Sequence, residues 1–294
     1  MTRTDRPSLG IGLRIMSGLL GAGMFVCVKA VSNDVPLGEI VFFRSFFALL
    51  PLIIFLWIRG EFPGGLATKR PGAHFVRSAF GAMALFTSFA AIARLNVAEA
   101  ILIAQLSPML MAVAAAFFLS ERLTIWRVGG LALGFAGVVV LVCPELDGGS
   151  TDRARLAGFV IGLVSAALSA LALTMVRDLN RTESPGAIAL YFVMASMVGA
   201  LFTIPWGWVA PDGPKLALLI TAGLFGGFAH IAMNLAFRYA EASRLAPFEY
   251  VALLWPLLAD LFVFKLPLAG AFLLAAPLIL AGSAFAAMER KSGR

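Results

Sequence analysis

Long apolar runs separated by short polar breaks extend along the whole chain. With Gly, Pro and charged residues taken as punctuation, the pattern predicts helices at 11–31, 38–58, 73–93, 97–119, 123–143, 156–177, 185–208, 215–237, 245–264 and 268–288. Each run approaches the roughly 20 apolar residues that a helix needs to cross a bilayer. The stretch 93–123, ARLNVAEAILIAQLSPMLMAVAAAFFLSERL, is unusual in carrying Gln105, Ser107 and Pro108 at its middle. A looser echo follows at 238–268, RYAEASRLAPFEYVALLWPLLADLFVFKLPL, broken by Pro247 and Pro256.

Composition turns this pattern into a fold class. A hydrophobic fraction of 61% with 13% charged residues lies far from the soluble norm of about 45–50% apolar and about 25% charged. The expectation is an all-α integral membrane protein of about ten transmembrane helices. The 294 residues leave no room for a sizeable soluble domain. The arginine-containing start followed by an apolar run also resembles a signal peptide. No small-residue cleavage site follows at 27–32, so this run is expected to remain as the first helix.

The net charge of +7 is spent in the connections. Sixteen of the 23 Lys and Arg residues fall on one side of the predicted spans and five on the other, with Lys29 and Arg44 near or inside the membrane. The positive-inside bias then puts both termini in the cytoplasm. No basic stripe with interleaved aromatics is present, so nucleic acid is not an expected partner. The expected partners are a small-molecule substrate and the lipid bilayer, with monomer and dimer both open. Cys27 and Cys143 fall in or at the end of predicted helices without metal or disulfide spacing, so no metal site is expected.

An odd number of spans per half has a topological consequence. Five helices end on the side opposite their start, so a duplicated second half must insert upside down. Inverted repeats of this kind place a binding site near the midplane where the halves meet. The expected division is 1–148 (helices 1–5) and 149–294 (helices 6–10), with the polar linker 144–155 outside. Aligning Glu121 with Leu266 pairs Ala114 with Ala259, Phe117 with Phe262 and Gly137 with Gly282. A register shifted by three pairs Ala98-Glu99-Ala100 with Ala240-Glu241-Ala242 instead.

The run LSPMLMAVAAAFFLSERL, the Gly-rich helix after it (Gly129, Gly130, Gly134, Gly137), Arg44 in EIVFFRSFFALLPL and APFEYVALLWPLLADLFVF together carry a family likeness. In order and spacing the chain resembles the drug/metabolite transporter superfamily, EamA family, and within it the bacterial amino-acid exporters, including those of aromatic amino acids. Carriers of S-adenosylmethionine look similar. The resemblance implies two inverted five-helix repeats around a central cavity lined by helices 1, 3, 4, 6, 8 and 9. It also implies residence in a bacterial inner membrane. Lys265-Leu266 stands where the family often repeats a Gly-Glu pair, which weakens the case for a symmetric functional partner of Glu121.

Candidate substrate contacts are polar or aromatic groups at mid-span. Pro108 removes an amide donor and can free a carbonyl one turn earlier. Gln105, three residues before it, can meet an ammonium or a carboxylate, or bond another helix. Trp255 lies mid-helix, away from the helix ends that hold the other tryptophans, and can line a cavity or simply pack. Tyr250 matches Gln105 in the family-guided register. His230 and Asn234 stand one turn apart. Met83, Thr87 and Ser165 offer adaptable and hydroxyl surfaces that serve equally well for close helix packing. Glu249 and Asp260 are candidates for proton binding or ion pairing. Lys29 and Arg44 read as anchors beside Glu39 and Asp34.

A Met- and Phe-lined cavity with few charges suits neutral or zwitterionic organic molecules. H-E-x-x-H, G-x-S-x-G and G-x-x-x-x-G-K-[ST] motifs are absent from the sequence, which argues against enzyme chemistry and against nucleotide-driven pumping. No cofactor is expected. The sequence therefore favours a secondary carrier exporting amino acids, aromatic or otherwise neutral. A cationic-metabolite carrier is the alternative, and a channel or intramembrane enzyme stands further off.

Overall fold

The computed structural model describes residues 6–119, 125–147, 152–180, 182–239, 245, 248, 253–267 and 269–288. Among them the chain is helical, with no strand. The helices are α1 (Pro7–Val31), α2 (Leu37–Ile58), α3 (Pro71–Arg94), α4 (Val97–Ala104), α5 (Ser107–Leu119) and α6 (Ile125–Asp147). They continue with α7 (Arg153–Leu179), α8 (Pro185–Leu201), α9 (Gly213–Tyr239), α10 (Leu254–Phe262) and α11 (Gly270–Met288). Five of these, α1, α2, α3, α7 and α9, are long and apolar enough to cross a membrane. Shorter apolar helices span Val97–Met111, Val128–Pro144, Pro185–Leu201 and Gly270–Phe285.

Local chemistry sets the boundaries. Pro7, Pro71 and Pro185 each stand in a first turn, where the missing amide costs nothing. Asp152 starts α7 by accepting from the amides of Ala154 and Arg155 at 3.0 and 3.2 Å, and Ser184 starts α8 by accepting from Ala187 at 3.1 Å.

Two predicted spans differ from the observed helices. The run 97–119 is divided: α4 stops at Ala104, and a turn at Gln105 and Leu106 with i to i−3 bonds of 3.1 and 3.0 Å precedes α5. Pro108 has no amide to continue the ladder to Ala104, so the break falls one turn before the proline. The run 185–208 ends at Leu201 and gives way to a 3-10 turn at Ile204–Trp206. Pro205 lacks a donor there, and Gly207 takes the left-handed backbone at φ 85°.

Packing is by pairs of helices. α1 lies along α9, α3 along α7, and α6 along α11. α2 packs on both α9 and α8, and α3 also meets α8. In lipid, apolar surface alone does not drive such pairing, so close backbone approach must. Gly282 of α11 faces the backbone of Gly130 and Gly134, where a Cβ would stand 2.5 Å from the Gly130 oxygen. On α9, Gly223 and Gly227 face α2, and Cβ atoms there would meet the backbone oxygens of Arg44 and Ala48 at 2.9 and 3.0 Å. A connected apolar core, including Val28, Ile40, Phe89, Leu102, Phe159, Leu219 and Ile279, runs through these pairs. Phe25 meets Phe89 edge to face at 6.2 Å.

Candidate functional site

Three cavities follow one another along α2. At the start of α2, a cavity of ≈ 590 Å³ is lined by Asp34, Leu37 and Ile40, by Phe89 and Arg94 of α3, and by Ile161 of α7. One turn further on, Arg44 lines a cavity of ≈ 170 Å³ with Ser17 and Met24 of α1 and with Gly226, His230 and Met233 of α9. Beyond it Ala48 and Leu52 line a third, also of ≈ 170 Å³, with Arg77, Leu173, Val176, Asn180, Phe192, His230, Met233 and Asn234. His230 and Met233 border both of the smaller cavities and form the wall between them. α2 and α8 thus contribute lining that the family pattern assigns to other helices, and the glycine face of α9 lets α2 approach it closely.

Two arginines dominate this region. Arg44 is 2% exposed. Its Nε meets the Met24 sulfur at 3.4 Å, a weak acceptor, and its Nη1 is buried with no hydrogen-bond partner among the described residues. The space for this guanidinium is made by Gly226, where a Cβ would stand 3.0 and 3.1 Å from Arg44 Nη2 and Nε.

Arg77 is the counterpart on α3. Its guanidinium carbon lies 4.3 Å from the centre of the Phe192 ring, a cation–π contact, while its Nε and Nη1 are buried without a described partner. Gly81, one turn along, leaves room for this stack, since a Cβ there would fall 2.9 Å from Phe192 and 3.0 Å from Arg77 Nη1. None of the described residues lining either small cavity is acidic. The acids expected beside Arg44 are engaged elsewhere: Glu39 accepts from the Val209 amide at 3.0 Å, and Asp34 lies 3.6 Å from Lys215. The expectation of an anchored Arg44 is corrected accordingly.

Polar networks hold the two ends of α3. At its C-terminal end Lys29 donates to the carbonyls of Ile92, Ala93 and Leu95 at 3.0, 3.3 and 2.9 Å. Asp260 of α10 accepts from the first amides of α4, Val97 at 3.1 Å and Ala98 at 2.7 Å. Glu99 accepts from the Asn96 amide at 3.1 Å and pairs with Arg155 of α7 at 3.0 Å.

At the other end of α3, Arg70 pairs with Asp178 at 2.7 Å, and His74 lies 3.5 Å from Glu183 and 4.6 Å, ring to ring, from Tyr191. Lost solvation raises the Glu183 carboxyl, but hydrogen bonding from Thr68 and the Lys69 amide, together with the adjacent His74 ring, outweighs it and holds the group below its ordinary value.

The residues singled out in the sequence are only partly gathered at the cavities. His230 and Asn234 line them. Thr87 bonds back to its own helix, at 2.8 Å to Met83 and 3.1 Å to Ala84. Ser165 ties α7 to α3 by donating to the Ala84 carbonyl at 2.9 Å. Met83 is 46% exposed and lines none of the three cavities. Gln105 sits in the turn before α5, its carbonyl accepting from Ser283 at 3.3 Å, and Pro108 is exposed at the start of α5. Trp255 is half-buried with an unpartnered indole nitrogen. Asp260 caps α4 rather than facing a cavity. Glu249 and Tyr250 lie outside the described residues.

Arg77 and Phe192 were not singled out. Arg77 is one of the sixteen Lys and Arg residues on the basic side of the predicted spans, although it stands nearly two turns inside α3.

A helical bundle of apolar spans, with cavities strung along one helix and arginines buried between them, defines a multi-pass membrane transporter of small molecules. Residues 8–143 of this chain match the model of the EamA-like transporter family. Its relatives include the pseudopaline exporter CntI of Pseudomonas aeruginosa, 29% identical over 85% of this chain and 86% of that protein. A riboflavin transporter of Rhizobium johnstonii is 28% identical over 85% and 80%. An S-adenosylmethionine uptake transporter of Rickettsia felis is 27% identical over 87% and 84%. A crystal structure at 22% identity superposes with a TM-score of 0.68 over 97% of this chain and 99% of that one, and so shares the fold.

Proposed function

We propose that the protein is a secondary carrier that exports amino acids and related small metabolites across a bacterial inner membrane by alternating access. Its ten spans form two inverted halves, 1–148 and 149–294, with both termini in the cytoplasm. The observation that carries this reading is the exchange in helix pairing. With span 4 as α4 and α5 and span 9 ending in α10, spans 1 and 8 pair as α1 with α9, and spans 6 and 3 pair as α7 with α3. Spans 2 and 8 (α2, α9) likewise match spans 7 and 3 (α8, α3), and spans 5 and 10 (α6, α11) meet each other. Advancing each span by five reproduces the pairings, as two related halves require.

The cavities lie between elements of both halves, where rocking of one half against the other would expose them in turn. Counterflow of labelled phenylalanine, tyrosine and leucine in proteoliposomes tests the reading. The expected result is saturable uptake stimulated by the same amino acid inside, and absence of flux for every amino acid overturns it. A second reading, uptake of S-adenosylmethionine or another cation, has the Rickettsia felis relative in its favour. Two buried guanidinium groups facing the cavities weigh against it.

A further inference from the structure

The unpartnered guanidinium atoms of Arg44 and Arg77 ask for a ligand. A buried charge with no counter-charge is among the costlier arrangements a protein can hold, more so inside a membrane. Here two such charges border adjoining cavities that share His230 and Met233 as a wall. Side chains are cleared for them by Gly226 and Gly81, so both groups occupy built positions, with Arg44 Nη1 and Arg77 Nε and Nη1 unpartnered among the described residues. The remainder of the larger lining is apolar, with Leu52, Leu173, Val176, Ile188 and Phe192 around Asn180 and Asn234.

We infer that Arg44 and Arg77 form a receptor for a carboxylate, and that the cargo is an organic acid with an apolar or aromatic body. The carboxylate accepts N–H bonds from the guanidinium groups, a charge-assisted and geometrically matched pairing. The apolar body lies along Leu52, Leu173 and Val176, beside the Phe192 ring. Each small cavity, at ≈ 170 Å³, is below the roughly 300 Å³ at which small-molecule sites begin. A cargo of amino-acid size therefore draws on both, with the side chains of His230 and Met233 turning aside. The absence of an acid among the described lining residues ranks net anions above zwitterions and zwitterions above cations. An amino-acid derivative with a blocked amine fits better than the free amino acid, and an amide or ester without the carboxylate does not fit.

This inference rests on the carrier reading for its physiological meaning but is tested separately, by binding. Thermal unfolding of the purified protein is followed with 3-phenylpropionate, N-acetylphenylalanine, phenylalanine, phenylalaninamide and phenethylamine, since a ligand of the folded state raises the midpoint. The two acids without a free amine should raise it most, phenylalanine less, and the two amines not at all. In R44Q and R77Q the concentration of acid needed for half the shift should rise at least about tenfold, the loss of one charge-assisted bond, with R44K intermediate.

Stabilisation by phenethylamine or phenylalaninamide equal to that by the acids overturns the inference. So do an unchanged response in folded R44Q and R77Q, or no shift with any acid. The order of acids and amines on the unaltered protein decides the matter even if a variant does not fold. Acids that bind but show no counterflow leave the inference standing and remove the carrier reading, while flux of amines with no preference for acids does the reverse.

Discussion

At the residue scale, the contrast between Asp260 and Arg44 shows how buried charge divides into structure and function. Asp260 is 2% exposed, which marks it for proton transport, yet both carboxylate oxygens are taken by the first amides of α4. That arrangement is an N-cap supplied from a distant helix. Asp260→Ala should therefore destabilise by about 2 kcal/mol, since two buried amides lose their acceptor, whereas Asp260→Asn keeps one acceptor and should cost about half as much. Thermal unfolding in detergent checks the first point. Flux of D260N with and without a pH gradient tests proton coupling, and the gradient response should be unchanged. A loss of the response in a folded D260N would return Asp260 to proton coupling.

Sequence reading could find the acid because a carboxylate in an apolar run is conspicuous. It could not find the partner, because the amides it caps lie 162 and 163 residues away and carry no side-chain signature. Arg77 was missed for the opposite reason, since an arginine close to a helix start looks like one more membrane-face charge.

Elements are positioned by small residues more than by large ones. α9 presents Gly223, Gly226 and Gly227 to α2, and these decide how near Arg44 comes to His230. At Gly223 an added methyl would collide with Phe47 Cβ and stand 2.9 Å from the Arg44 carbonyl oxygen, which as backbone cannot step aside. G223A should lower stability by about 1–3 kcal/mol, the usual cost of overpacking. It should also weaken acid binding, because α2 is pushed away with its arginine. G12A is the matched control: nothing lies within 4 Å of the Cβ position at Gly12, and removing a mid-helix glycine should stabilise by about 0.5–1 kcal/mol. Thermal unfolding of the two variants side by side checks the pair.

The long helices were legible because a run of apolar residues bounded by Pro or charge has one solution in lipid. The break at Gln105 and Leu106 was legible only as a kink at Pro108, since the residue that loses its donor and the residue where the chain turns are different. The lining of α2 and α8 was not legible, because it depends on which glycine face meets which helix.

At the scale of the whole molecule, an alternating-access carrier needs a site that neither end exposes at once and ends that take turns in closing. α3 spans both: Arg70 and His74 bind the α7–α8 corner at one end, and the carbonyls beyond Ile92 bind Lys29 at the other. The proposed cytoplasmic end rests on the sixteen-to-five division of Lys and Arg, and the proposed inversion requires the linker to emerge on the opposite side. One residue already present reports on both. Cys143, near the end of α6, is exposed, while the other cysteine, Cys27, is buried. The proposed topology, five spans before it and the N-terminus inside, puts Cys143 on the outer surface. A membrane-impermeant maleimide added to right-side-out vesicles should therefore label the unaltered protein at Cys143 without permeabilisation. In a C143A background, a cysteine introduced by S8C should be labelled only after the membrane is opened. Labelling of both from outside would mean an even number of spans between residues 8 and 143, and the inverted arrangement would fall with it. Labelling of S8C alone would keep the inversion and reverse the orientation, making the arginine-rich corners external against the charge bias.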